Sequence, residues 1–156
     1  MINFGLYLDT IGEGDVINNA FEAIEFSLKE NIIKDASLFY DQIGSIKSKP
    51  PCGIFHSSDL WNFSGHIFVL SVTSIQRVKN IANNIKIYLG YGWQERNVLA
   101  TLQAISDDTV EVLPFSVETA ADFYRISNRK SIGVSNNFKE IIQIITEKEN
   151  ERSRNN

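Results

Sequence analysis

His66-Ile67-Phe68-Val69-Leu70-Ser71-Val72-Thr73-Ser74-Ile75-Gln76-Arg77-Val78-Lys79-Asn80-Ile81-Ala82-Asn83-Asn84-Ile85-Lys86-Ile87-Tyr88-Leu89-Gly90 decides the fold class. The run from His66 to Ser71 is apolar without a break at Ile67-Phe68-Val69-Leu70, which marks a strand covered on both faces. Thr73 or Ser74 then caps a helix, and Ile75, Val78 and Ile81 follow at the three-residue spacing of its buried side. A second strand covers 85–89 and stops at Gly90-Tyr91-Gly92. Short strands apolar on both faces are what buried parallel strands look like, because helices cover both faces of such a sheet.

The pattern continues in both directions. Toward the C-terminus come a helix from about Glu95 to Ile105, a strand at 109–113 ended by Pro114, a helix from Val117 to Ser127, a short strand at 131–134 and a helix from about Asn136 to Glu147. Toward the N-terminus lie a strand at 2–8, a loop Thr10-Ile11-Gly12-Glu13-Gly14, and a helix opened by Asp15 with Val16, Ala20, Ala23, Ile24 and Leu28 on one side. A strand at 36–40, a polar loop carrying Pro50-Pro51, a short strand at 53–56 and a cap at Ser57-Ser58-Asp59 complete that half. The alternation predicts an α/β fold: an open, doubly wound, mainly parallel sheet of about six or seven strands with helices on both faces, Rossmann-like. It forms one domain over 1–147, and 148–156 reads as a charged, frayed tail. Leu6, Leu38, Phe68, Leu70, Ile87 and Val112 are the expected core.

The composition of the 156 residues narrows the function classes. Hydrophobic residues at 43% and charged residues at 22% fit a globular chain. A net charge of -4 argues against nucleic acid as a partner, since backbone phosphates need a basic face. No apolar run approaches the ~20 residues that span a bilayer, and Met1 to Leu8 has no basic flank for a signal peptide. The lone Cys52 has no internal disulfide partner, as in a reducing compartment. The expectation is a soluble, cytoplasmic protein.

Motifs for the commoner chemistries are missing. Gly12-Glu13-Gly14-Asp15-Val16-Ile17 occupies the place of a dinucleotide fingerprint, but Ile17 replaces the third glycine and Glu13 and Asp15 put negative charge where a pyrophosphate would lie. There is no phosphate loop, no nucleophile elbow, no Asp-x-Asp pair and no metal-binding histidine spacing. Neither a cofactor nor a metal is expected. A Pro114-Phe115 step resembling a phosphoreceiver lacks the acidic pair and lysine which that chemistry needs.

In doubly wound sheets ligands bind beyond the carboxyl ends of the strands. The residues there are Asp9, Thr10, Gly12 and Gly14; Asp41; His56, Ser57, Ser58 and Asp59; Ser71 and Thr73; Tyr91, Gly92 and Trp93; Phe115 and Ser116; and Ser135, Asn136 and Asn137. They are rich in hydroxyls and aromatics, which suits a sugar or a nucleotide. Asp59-Leu60-Trp61-Asn62-Phe63-Ser64-Gly65 is the most unusual stretch: Trp61 and Phe63, two apart, do not share one helical face, so one of them is expected to be exposed. Trp61, Tyr91 and Trp93 would offer stacking platforms, and His56 or Asp59 a base for an acceptor hydroxyl. The helix N-termini after Gly12, Ser57 and Ser71 favour an anion, nearer His56 and Ser71 than the acidic first loop.

The order of these motifs resembles the N-terminal, acceptor-side half of GT-B glycosyltransferases. Asp9, Gly12 and Gly14 are similar to its opening loop, Phe55-His56-Ser57-Ser58-Asp59-Leu60-Trp61 to its His-Ser-x-Asp strand end, and Val134-Ser135-Asn136-Asn137-Phe138-Lys139-Glu140-Ile141-Ile142 to its V-S-x-x-x-K-x-x-I end. The block from Asp59 to Trp93 also resembles small glycosyltransferase-like proteins of marine cyanobacteria and their phages, which share the D-x-W-x-F-x-G run. The resemblance implies a sugar or nucleotide-sugar ligand at the carboxyl edge. That family holds its donor mainly in a C-terminal domain, which 156 residues leave no room for, and the E-x7-E pair of that domain is absent from its expected place. A homo-oligomer, or a partner chain supplying a donor domain, is then implied. The alternative is a Rossmann-like binding or interaction module without catalysis.

Overall fold

The computed structural model describes residues 1–12, 14–81, 84–92 and 98–155. Six strands form one sheet: β1 (Asn3–Ile11), β2 (Asp35–Ile43), β3 (Gly53–His56), β4 (Ser64–Val69), β5 (Asn84–Tyr91) and β6 (Val110–Pro114). Their spatial order is β3-β2-β1-β4-β5-β6, and every neighbouring pair is parallel. This is the order of the doubly wound Rossmann-like fold. The helices are α1 (Asp15–Lys29), α2 (Val72–Ile81), α3 (Val98–Ser106), α4 (Val117–Ser127) and α5 (Phe138–Asn155), with a short 3₁₀ helix at Ser57–Asn62.

Alternating residues of each strand feed two cores, because successive side chains leave a strand on opposite faces. Phe4, Leu6 and Leu8 of β1 join Leu38, Phe68, Tyr88 and Leu113 beneath α1 and α5. Tyr7 joins Phe39, Ile67, Val69, Ile87 and Leu89 on the other face, beneath Leu60 of the 3₁₀ helix, α2 and Ala104 of α3. Both faces are covered, so the strands carry the unbroken apolar runs seen in the sequence. Of the expected core, Leu6, Leu38, Phe68, Ile87 and Val112 are buried, while Leu70 is half-buried just past β4.

Residues 131–134 do not form a seventh strand. Ile132 N–H donates to the Val112 carbonyl and Ser135 N–H to the Pro114 carbonyl, so the segment runs beside β6. The two donors are three residues apart and their acceptors two, which breaks the period of a ladder, and Pro114 has no N–H to return. The tail is not frayed either. Helix α5 runs to Asn155 because Glu149 and Arg152 face the sheet and pair with Lys86, Tyr88 and Glu111. Gly65, last residue of the D-x-W-x-F-x-G run, sits at φ +146, and a Cβ there would stand 2.6 Å from the Asn3 carbonyl oxygen.

Among the described residues no helix is long and apolar enough to cross a membrane.

Candidate functional site

The order of the strands locates the crevice. Helix α1 follows β1 onto one face and α2 follows β4 onto the other, as their two separate cores require. β1 and β4 are neighbours, so the two connections diverge between them, and this switch point beyond their carboxyl ends is where such sheets form a crevice. Asp9, Thr10 and Gly12 stand on one side of this opening and Ser71 on the other.

Two hydrogen-bonded groups border it. In the first, Ser74 Oγ on α2 donates to Asp9 Oδ1 at 2.6 Å, tying the end of β1 to the first turn of α2. Asp9 itself is exposed. In the second, Asp41 collects three donors on the α2 face of the sheet. Tyr7 Oη donates to Asp41 Oδ2 at 2.6 Å, Ser57 Oγ donates to Oδ1 at 2.5 Å, and the Arg77 guanidinium forms an ion pair with Oδ2. Arg77 also donates to Tyr7 Oη at 3.3 Å. Partial burial opposes ionisation of Asp41, but the bonds from Ser57, Tyr7 and Arg77 outweigh it and hold the carboxyl below its usual range. Burial, and then the carboxylate beside it, push the Tyr7 phenol up to about 12.

This geometry carries no activated nucleophile. Ser57 is 4% exposed and gives its proton to an ionised carboxylate with no histidine in the chain of bonds. His56 Nδ1 contacts Ser58 Oγ at 2.9 Å and accepts from the Ser58 N–H, so its side chain caps the 3₁₀ helix. Its ring lies edge-on to Tyr40, which packs on the α1–α5 core. Asp59 lies on the opposite face, against Phe39 of the α2-side core. The expectation that His56 and Asp59 border one crevice is therefore not met, since His56 packs toward the α1–α5 side of the sheet and Asp59 toward the α2 side.

The remaining expected residues divide in the same way. Ser57 enters the Asp41 group and Asp9 the crevice. Ser71 is the actual cap of α2, its Oγ accepting from the Thr73 N–H, and Ser74 is released to bind Asp9. Thr10 is exposed and Gly12 half-buried beside it. Trp61 is 61% exposed while Phe63 is half-buried, as their spacing required. Tyr91 is corrected: at 1% exposure it packs with Ile105, Val112 and Phe123 and presents no open platform. Trp93, Glu13 and the start of the helix expected at Glu95 lie outside the described residues.

Sequence reasoning missed Tyr7, Ser74 as a ligand of Asp9, and Arg77. The available signal was the three-residue step from Ser74 to Arg77, which puts both on one side of α2. Among the described residues no three histidine, cysteine, aspartate or glutamate side chains are grouped to hold a metal ion. No family model, curated protein or solved structure matches the chain.

Proposed function

We propose that the chain is a glycosyltransferase-like α/β protein that binds a sugar at the β1–β4 crevice as a non-catalytic module. The observation that carries this reading is the Asp9–Ser74 pair at the point where the connections diverge. One oxygen of Asp9 is engaged by Ser74, and the other can accept from a ligand hydroxyl. Thr10, Ser71 and Thr73 add hydroxyls around it. A neutral, hydroxyl-rich ligand fits this edge better than a pyrophosphate. Asp9, Asp15 and Asp41 make it acidic, and the cation beside it, Arg77, is neutralised by Asp41. The sugar of a nucleotide-sugar is thus the part bound, and the nucleotide contributes little. On this reading the chain carries out no independent transfer: His56 Nδ1 is taken up in capping the 3₁₀ helix and Ser57 is buried.

Thermal unfolding in the presence of free hexoses, UDP-, GDP- and ADP-sugars, and the bare nucleotides tests this. A ligand at 100 times its Kd adds about 2.7 kcal/mol of stability. The expected result is stabilisation by sugars and sugar nucleotides alike, none by the bare nucleotides, and its loss in Asp9→Ala. Stabilisation by UDP alone, or none by any sugar, would reject the proposal.

A further inference from the structure

The 3₁₀ helix at Ser57–Asn62 builds a second recess, away from the crevice. A 3₁₀ helix has three residues per turn, so side chains three apart stand above one another in rows. Ser57 and Leu60 form the inward row, both buried, and Phe63 continues it. Ser58 and Trp61 form the outward row, both exposed. Asp59 and Asn62 form the third row, and this row lines a cavity of about 400 Å³ together with Ser37, Phe39, Phe55 and Phe63.

Phe55, at the exposed edge, and half-buried Phe63 wall the recess, and the buried Phe39 closes its floor. Phe39 lies 5.9 Å from Phe55 and 5.3 Å from Phe63, centroid to centroid, the second pair edge to face. Two glycines make that arrangement possible. A Cβ on Gly53 would meet the Phe55 ring at 2.5 Å, and one on Gly5 would meet the Phe63 ring at 3.0 Å. Each of these rings therefore sits against bare backbone, where a side chain would displace it. Among the described residues no lysine or arginine lines the cavity. The Asp59 carboxylate and the Asn62 amide make no hydrogen bond or ion pair with the described residues, although both border it.

Ring faces carry negative potential, and a carboxylate beside them adds a full charge. The walls thus attract a cation. They also select its type: phenylalanine accepts no conventional hydrogen bond, so a primary ammonium would leave N–H groups unsatisfied against two of its sides. A methylated ammonium has none to satisfy. We propose that this recess is a binding site for a small quaternary ammonium compound, with the charged head against Phe55 and Phe63 above the buried Phe39, and Asp59 as its counter-ion. The volume lies within the range of small-ligand sites.

Choline is the probe, and its neutral analogue with carbon in place of nitrogen is the control. Both are titrated into the full chain and followed by backbone amide NMR. Choline should give saturable shifts at Gly53, Asp59 and Asn62. The neutral analogue should bind about tenfold more weakly, as should choline to Asp59→Asn. Asp59 is exposed, so that variant keeps the fold, and an unchanged amide spectrum outside the recess checks it. Phe55→Leu, which keeps bulk at a 42% exposed edge residue but removes the ring face, should weaken choline by a similar factor. The proposal is overturned by the absence of saturation at ~10 mM choline, by equal affinity for the neutral analogue, or by unaltered affinity in Asp59→Asn.

Discussion

Ser57 Oγ donates to Asp41 Oδ1 at 2.5 Å, which joins the residue after β3 to the carboxyl end of β2. The bond fixes where the chain leaves the edge strand and enters the 3₁₀ helix. It also keeps a carboxylate ionised on the α2 face, beside Tyr7 and Arg77. A hydrogen bond to a charged group contributes about 1.5–3 kcal/mol. Ser57→Ala should therefore destabilise by that amount in urea unfolding. Asp41→Asn should cost a similar amount, and the double variant less than the sum, with a coupling of about 1–2 kcal/mol. Strict additivity would show that the two side chains act independently.

Acid should lower the protein's stability in two stages. His66 is held below its ordinary value by burial first, with Lys86 and Arg152 acting in the same direction against the opposing charge of Glu149. Glu149 is desolvated, yet bonds from Lys86, Tyr88 and Arg152 bring it down to about 2. Asp41 is lowered as well. Each folded-state value lies below the unfolded one, so each contribution is complete above the ordinary pKa and is lost as pH falls through the folded value. The His66 share goes first, below about 6.5, and the carboxylates follow from about 4 downward. Glu149→Gln should cost on the order of 3 kcal/mol at neutral pH, shrinking toward zero near pH 2. Denaturant midpoints measured across this range check the profile.

Phe68 is fully buried on the α1–α5 side, in edge-to-face contact with Phe138. Phe68→Ala should cost about 3–5 kcal/mol. Gly90→Ala should fail for the opposite reason, since its Cβ would stand 2.6 Å from Phe115 and 2.7 Å from Phe68. Overpacking of that kind costs about 1–3 kcal/mol. An unchanged midpoint in either variant would mean that the strand does not pack as described.

Arg129 closes the end of α3. Its guanidinium donates to the carbonyl oxygens of Ile105 at 3.0 Å, Asp107 at 2.8 Å and Val110 at 2.7 Å. These are carbonyls at and after the helix C-terminus, which lack partners within the helix. Arg129→Met should cost about 2–4 kcal/mol. Lysine should recover little, because an ammonium cannot span three acceptors as a planar fork does. Calorimetric melting of the three proteins distinguishes the cases.

Local patterns carried the elements, and long-range pairings decided the site. The helix at 117–127 and the strand at 53–56 stand where turn residues and spacing put them. The failures have separate causes. Residues 131–134 look like a strand, yet their register against β6 slips by one residue beside Pro114. Residues 148–155 look like a solvated tail, yet their charges find partners on three different strands that no local pattern reveals. Tyr7, Asp41, Ser57 and Arg77 meet only because β1 lies between β2 and β4, an order that alternation of strand and helix does not determine. Tyr91 looked accessible because it follows a glycine at a strand end, but the α4 residue Phe123 closes over it.

The same strand order governs how the chain reaches its structure. β4 and β5 pair across one helix, Ile67 opposite Ile87, a separation of about 20 residues that closes early. β1 meets β4 only when Phe4 reaches His66, about 60 residues away, after the excursion to the edge strand and back. By sequence separation the two halves of the sheet should fold as nearly local units and join last between β1 and β4. The opening at the carboxyl end of that seam would then be bordered by the last contacts to form, and Ser74 reaching Asp9 is the stitch that joins its two sides.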